Sequence, residues 1–251
     1  NEIIDKDEPL GTIGTTRAET GHPVGQIFGY VHDRLFTEDD FKDVENGVLK
    51  DGVPKQTFTA KVRPGDIKYV DLDKNGFIDT YDQMAIGGTE NPEIVYGFGV
   101  NLRWKELDFG AMFQGIGRTW RILSSNIMPA SNKGSMYNIF DNYQDRWTVD
   151  NQSQDVFYPR ADYGPNANNS QKSTWWLRNM SFLRLKNLEL GYSCPKKWLQ
   201  GFVISNARVF VRGTNLLTFS KFNLWDPELA TGDGAKYPAM KSVSVGFDIT
   251  F

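Results

Sequence analysis

Alternation of apolar with polar or small residues is the strongest pattern in the chain. Ile94, Tyr96, Phe98, Val100, Leu102 and Trp104 form one face of a run whose other face is Val95, Gly97, Gly99, Asn101 and Arg103. Leu107, Phe109, Ala111 and Phe113 then oppose Asp108, Gly110, Met112 and Gln114. The run from Val243 to Phe251 sets Val243, Val245, Phe247, Ile249 and Phe251 against Ser244, Gly246, Asp248 and Thr250. A two-residue period of this kind predicts strands with one apolar face. Only Lys105-Glu106 separates the first two runs, so they form a tight hairpin. Further strands are expected at Val24–His32, Phe182–Tyr192 and Ala207–Asn215. The chain is therefore all-β.

Two architectures use such strands: a soluble sandwich, and a transmembrane barrel whose apolar side chains meet lipid. The strands are close to the about 9 to 11 residues that a tilted bilayer crossing needs. Connections alternate between very short (Lys105-Glu106), moderate (Cys194–Ser205) and long (Phe36–Glu93, Asn126–Trp176). Outer-membrane barrels have short turns at one end and long loops at the other, whereas sandwiches have short loops at both. The barrel is the better fit. Arg184 and Lys186 interrupt the apolar face of Phe182–Tyr192, which a bulge or a place at the membrane edge explains.

Composition narrows the choice. Charged residues are 24% of the chain and the net charge is −3, which excludes the basic field that nucleic-acid binding needs. Aromatics reach 14% and there are 24 Gly, a strand-and-loop composition. A single cysteine, Cys194, rules out an internal disulfide, and with His22 and His32 it makes no zinc site. It reads as a small residue closing a strand before Pro195. The chain opens on Asn1-Glu2-Ile3-Ile4, so it reads as part of a longer protein.

One stretch carries chemistry. From Asp71 to Asp82, oxygen-bearing side chains fall at loop positions 1, 3, 5, 9 and 12 (Asp71, Asp73, Asn75, Asp79 and Asp82). Gly76 stands at position 6 and Phe77, whose carbonyl would be a ligand, at position 7. This is calcium-loop spacing: a hard cation takes six or seven oxygens, and glycine allows the sharp turn. Asp82 is shorter than the usual glutamate, as in dockerin-like loops. An Asx-rich turn without metal is the other reading. Gly97-Phe98-Gly99 and Gly115-Ile116-Gly117 lack the third glycine of a dinucleotide loop and read as strand glycines. No Gly-x-Ser-x-Gly elbow occurs, and neither histidine has an obvious nucleophile beside it. Trp175-Trp176 reads as an interfacial aromatic girdle, with sugar stacking as the alternative.

Taken in order, these motifs resemble the SusC/RagA-type TonB-dependent outer-membrane transporters of Bacteroidetes. The resemblance rests on His22-Pro-Val-Gly-Gln-Ile-Phe-Gly-Tyr30, on Pro64-Gly-Asp66 through Asp79 to Gly87, and on Pro92–Trp104. It continues through Asp145-Arg-Trp-Thr148, Tyr158-Pro-Arg160, Ser181–Tyr192, Asn215–Phe219, Asp226-Pro-Glu228 and Phe251. It implies that residues 1–251 are the C-terminal part of a barrel of 22 strands with long extracellular loops. Residues 64–87 would be a calcium-loop-like extracellular element, and the plug domain would lie outside this chain.

The implied function is not enzymatic. It is TonB-dependent import of a nutrient, a glycan or oligosaccharide first and a peptide second, across the outer membrane of a Gram-negative cell. Implied partners are a SusD-type surface lipoprotein, the TonB complex, outer-membrane lipid and the barrel-assembly machinery. That machinery would read a strand ending in Phe247, Ile249 and Phe251. A soluble calcium-bearing carbohydrate-binding β-sandwich is the first alternative and a loop-rich secreted hydrolase the second.

Overall fold

The computed structural model describes residues 20–124, 127, 140–162, 166–201 and 203–251. The Asn1–Ile4 opening and much of the connection after Asn126 lie outside them. The chain forms two compact units, one of residues 92–119 and 179–251, the other of residues 1–91 and 120–178.

The first unit is an antiparallel meander. Its strands are β1 (Ile94–Trp104), β2 (Leu107–Gly117), β3 (Phe182–Ser193), β4 (Asn206–Ser220) and β5 (Ser242–Thr250). They are ordered β5-β4-β3-β2-β1, leaving β1 and β5 as edges. The expected hairpin is present: Trp104 pairs with Leu107, and Lys105 turns the chain with a left-handed φ of 55°. The strand expected at Ala207–Asn215 runs on to Ser220.

The irregularity at Arg184 and Lys186 is a bulge. Leu188, Leu190 and Tyr192 share the apolar face with Ala111, Phe109 and Leu107; beyond the break in register, Leu185 and Leu183 take that face. The bulge reverses the parity of the strand, so five apolar residues stay on one side although their sequence spacing changes. It also sends Arg184 to the other face. There it pairs with Asp226 and, at 2.8 Å, with Glu228, which also binds Lys186 at 3.0 Å.

The two faces differ in kind. The apolar face carries cross-strand rows such as Trp104–Leu107–Tyr192–Val209–Phe247. Among the described residues, nothing covers it at the edges. Every residue of β1 is exposed, and Phe247 keeps 70% of its surface. A sandwich would bury this face. On the polar face, Arg208 binds Asp108 (3.0 Å), Glu189 (2.6 Å) and Asp248 (3.2 Å), and Arg212 binds Glu189 at 2.6 Å. The guanidinium groups of Arg208 and Arg212 lie 5.0 and 5.2 Å from the Phe210 ring. This network ties β2, β3, β4 and β5 together.

The second unit is built from short pairs. Gln26–Tyr30 pairs with Gln83–Thr89, His32–Leu35 with Ile67–Tyr69, Phe41–Asp43 with Val48–Leu49, and Lys55–Gln56, in parallel, with Phe77–Ile78. The strand expected over Val24–His32 is thus two strands broken at Val31. The core is aromatic: Tyr30, Phe58 and Tyr69 meet with centroids 4.9 to 6.0 Å apart, and Phe36 packs on Phe41 with its ring tilted by 54°.

Motifs distant in sequence lock this unit. Buried Asp66 accepts from the Arg63 N–H (2.8 Å), Arg160 Nε (3.1 Å), Asn166 Nδ2 (3.0 Å) and Asn169 Nδ2 (2.9 Å). Beside it, Gly65 has φ +86°, and a Cβ there would stand 2.3 Å from the Trp147 ring, so only glycine fits. Trp175 and Trp176, expected to form an exposed girdle, are instead buried core residues. Their indole N–H groups donate to the Phe157 and Asn169 carbonyls at 3.2 and 2.7 Å. Their amphipathic rings satisfy the interior of a loop unit rather than a membrane interface.

Asp40 anchors the outer part of the unit. Arg34 grips both its oxygens at 2.7 Å, Lys68 lies at 3.2 Å, and the Thr37 N–H donates at 2.9 Å. Burial raises the cost of its charge, but these donors outweigh it and hold the carboxyl far below the ordinary range. Since the folded value lies below the unfolded one, this stabilisation is complete above about pH 4 and is lost as pH falls below that. Asp40→Asn is expected to weaken protection of the Leu35–Phe41 amides by the order of 1–2 kcal/mol at pH 7. It should also flatten their acid dependence. Wild-type acid dependence in the variant, measured by hydrogen exchange, would contradict this.

Candidate functional site

The loop from Asp71 to Asp82 closes on its own carboxylates. Asp82 is fully buried; one oxygen accepts from the Leu72 N–H at 2.7 Å and the other from the Asp79 N–H at 2.8 Å. Asp71 Oδ2 accepts from the Gly76 N–H at 2.8 Å. Asp73 accepts from the backbone N–H and the side-chain amide of Asn75, at 3.0 and 2.9 Å, and Asn75 Oδ1 accepts from the Phe77 N–H at 2.8 Å. Gly76 turns the chain with φ +87°, a conformation that glycine adopts without strain. The sequence folds locally this way because short Asx side chains capture amides two to five residues on.

Of the six residues expected as ligands, the structure gathers three carboxylates: one oxygen each from Asp71, Asp73 and Asp82 lies within 4.8 Å of the others. Asn75 sits inside the loop on Asp73. The Phe77 carbonyl alternates with those of Gly76 and Ile78, which are taken by the Lys55 and Thr57 N–H groups, so it points away from that partner strand. Asp79 is turned elsewhere: it caps the single turn Thr80–Asp82, accepting from the Tyr81 N–H at 2.8 Å. Asp71 Oδ1 is buried and accepts no hydrogen bond. A buried carboxylate oxygen without a donor, beside two more carboxylates, is a vacant acceptor that suits a hard cation.

The other expected residues lie on the sheet. Phe247 and Ile249 belong to the apolar face of the edge strand β5, opposite Val209 and Ala207, and Phe251 follows it, exposed. Sequence reasoning missed the Asp66–Arg160–Asn169 lock and the pairing of Arg184 and Lys186 with Asp226 and Glu228. The opposite charges of Asp66 and Arg160, and of Arg184 and Lys186 against Asp226 and Glu228, were the available signal.

No family model matches the chain. Among curated proteins it is similar to the TonB-dependent receptor P26 of Formosa agariphila, 32% identical over 260 residues. The receptor P3 of the same organism is 27% identical over 248 residues, and the TonB-dependent receptor SusC of Bacteroides thetaiotaomicron 24% over 205. These alignments cover 98%, 92% and 79% of the chain. The chain is similar over most of its length to TonB-dependent receptors, SusC among them. It spans about a quarter of their length: 24%, 22% and 19% of the three proteins.

Solved structures show a similar likeness. The RagAB peptide importer in its open-open state superposes with a TM-score of 0.66 at 26% identity, over 94% of this chain and 23% of that one. The closed-closed state gives 0.62 at 27% identity, over 98% and 25%. As in the receptors, strands dominate; no closed barrel is seen among the described residues. No described helix is long and apolar enough to cross a membrane, which says nothing of strands.

Asp82 is the residue on which the loop's shape depends. Asp82→Ala strands two amides and is expected to cost roughly 1–3 kcal/mol for each left buried and unsatisfied. Faster hydrogen exchange at Leu72 and Asp79 reads this out. Unchanged exchange would show that the loop holds its form by other means.

Proposed function

We propose that this chain is part of the wall and extracellular loops of an outer-membrane importer that works with TonB and a SusD-type surface lipoprotein. One observation carries the reading: the five-stranded sheet presents a long apolar face that the described residues leave uncovered. Each large apolar side chain is worth roughly 1.5–3 kcal/mol when removed from water, so a whole face of them requires a covering medium. The dimensions suit lipid. From Ile94 to Trp104 there are ten steps of about 3.3 Å; inclined by about 40°, they rise about 25 Å, the height of a barrel's apolar band.

The free edges β1 and β5 are then the places where further wall strands pair. Phe247, Ile249 and Phe251 face lipid there and form the signature that the assembly machinery reads. The polar face, with its self-paired charges, lines the lumen. A soluble sandwich remains the competing architecture, and the exposure of β1 and β5 speaks against it.

The cargo is a nutrient. A glycan or oligosaccharide is the first choice, and the likeness to a peptide importer favours peptides as the second. A strain lacking the whole receptor should fail to grow on one of these as sole source while growing on simple sugars or amino acids. Normal growth on both classes would overturn the import reading.

The loop of Asp71, Asp73 and Asp82, with Asn75 and the Phe77 carbonyl, holds calcium as a structural clip on the extracellular side. Asp79 would join only by leaving its capping bond. Titration of the whole receptor with calcium should give binding at or below millimolar concentration. Asp73→Ala should weaken it about tenfold or more while sparing the loop, because Asp73 bonds only to Asn75. Absence of binding heat at millimolar calcium would leave the segment an Asx-rich turn.

A further inference from the structure

The short-turn end of the sheet carries a second pattern that the import reading does not use. The row Trp104–Leu107–Tyr192–Val209–Phe247 crosses all five strands there, bringing three aromatics to one level of the apolar face. Immediately beyond this row come the two connections at that end. The hairpin holds Lys105, whose Nζ lies 5.1 Å from the centre of the Trp104 ring. The connection between β3 and β4 holds Lys196, Lys197 and Trp198 on the short helix Lys196–Leu199.

The two connections are neighbours. The Ser193 N–H donates to the Glu106 carbonyl at 2.8 Å, and the Cys194 N–H to the Ala207 carbonyl at 2.8 Å. All three lysines are exposed, as are Trp104 and Trp198, at 68% and 66%. None of the three ammonium groups has a carboxylate partner among the described residues. The acid in these connections is half-buried Glu106, so the cluster keeps a net positive charge.

We propose that this belt binds the phosphate headgroups of anionic phospholipids in the leaflet at the short-turn end. The aromatic row sits at headgroup depth, where amphipathic rings are most stable, and the lysine stems reach past it with their charges in the phosphate layer. Three ammoniums without a carboxylate partner among the described residues, beside an apolar band, are complementary to a negatively charged surface. Arg208 and Arg212 do not contribute, because both are paired on the opposite face. The inference rests on the lipid-facing reading of the sheet given above and adds the headgroup chemistry.

The test uses the whole receptor in nanodiscs of phosphatidylcholine with a minority of phosphatidylglycerol. Native mass spectrometry then counts the lipids that remain bound. Phosphatidylglycerol should be enriched over its share, and Lys105→Gln, Lys196→Gln and Lys197→Gln should each reduce the enrichment, roughly fivefold per charge removed. The triple Lys→Arg variant should keep it. Equal retention of both lipids, or full enrichment in the triple Lys→Gln variant, would overturn the proposal. A receptor that cannot be reconstituted in any bilayer would instead overturn the lipid-facing reading beneath it.

Discussion

The uncovered apolar face of the meander is the constraint on which the rest of the structure depends. Water cannot solvate Trp104, Phe98, Phe247 and their neighbours without a large cost, and none of the described residues is laid over them. The bulge in β3 preserves that face. The bulge near Lys186 spends one residue to keep Leu183 and Leu185 in line with Leu188 and Leu190. Without it, two leucines would turn to the polar face and Arg184 to the apolar one.

The opposite face solves a different problem. Charges confronting one another across a sheet are destabilising unless they alternate in sign. Here Asp108, Glu189 and Asp248 surround Arg208, with Arg212 closing the set. Arg184 and Lys186 find their acids on the segment that follows β4. The charges therefore serve the sheet itself, while the other unit keeps its own aromatic core and its own buried lock at Asp66. Such a core lets long connections hold a defined shape, and a cation clip at Asp71–Asp82 would serve the same end.

Much of the sheet was legible from alternation alone. β1, β2 and β5 appear almost residue for residue, because a face meeting one uniform medium imposes a strict two-residue period. The loop unit was far less legible. Its strands are two to seven residues long and are held by contacts such as Asp66 to Arg160 and Tyr69 to the Asn168 carbonyl, about a hundred positions apart. Opposite charge hints at the first of these, but the alternation of local residues does not say which segments pair. Trp175 and Trp176 show the same limit: adjacent aromatics before a strand look alike whether they meet a membrane interface or a protein core. The loop from Asp71 to Asp82 was legible as spacing, but the diversion of Asp79 into a cap depended on the turn after it.

Cysteine accessibility along β5 tests the central claim most directly. In the whole receptor in its native membrane, with Cys194→Ser as background, single cysteines are placed from 243 to 250 and challenged with a water-soluble maleimide. The account predicts a two-residue alternation in which positions 243, 245, 247 and 249 are protected and 244, 246, 248 and 250 are less so. The protected set should be the one that a lipid-borne quencher reaches when the same cysteines carry a fluorophore. Uniform labelling, with no quenching from the lipid at the odd positions, would contradict it.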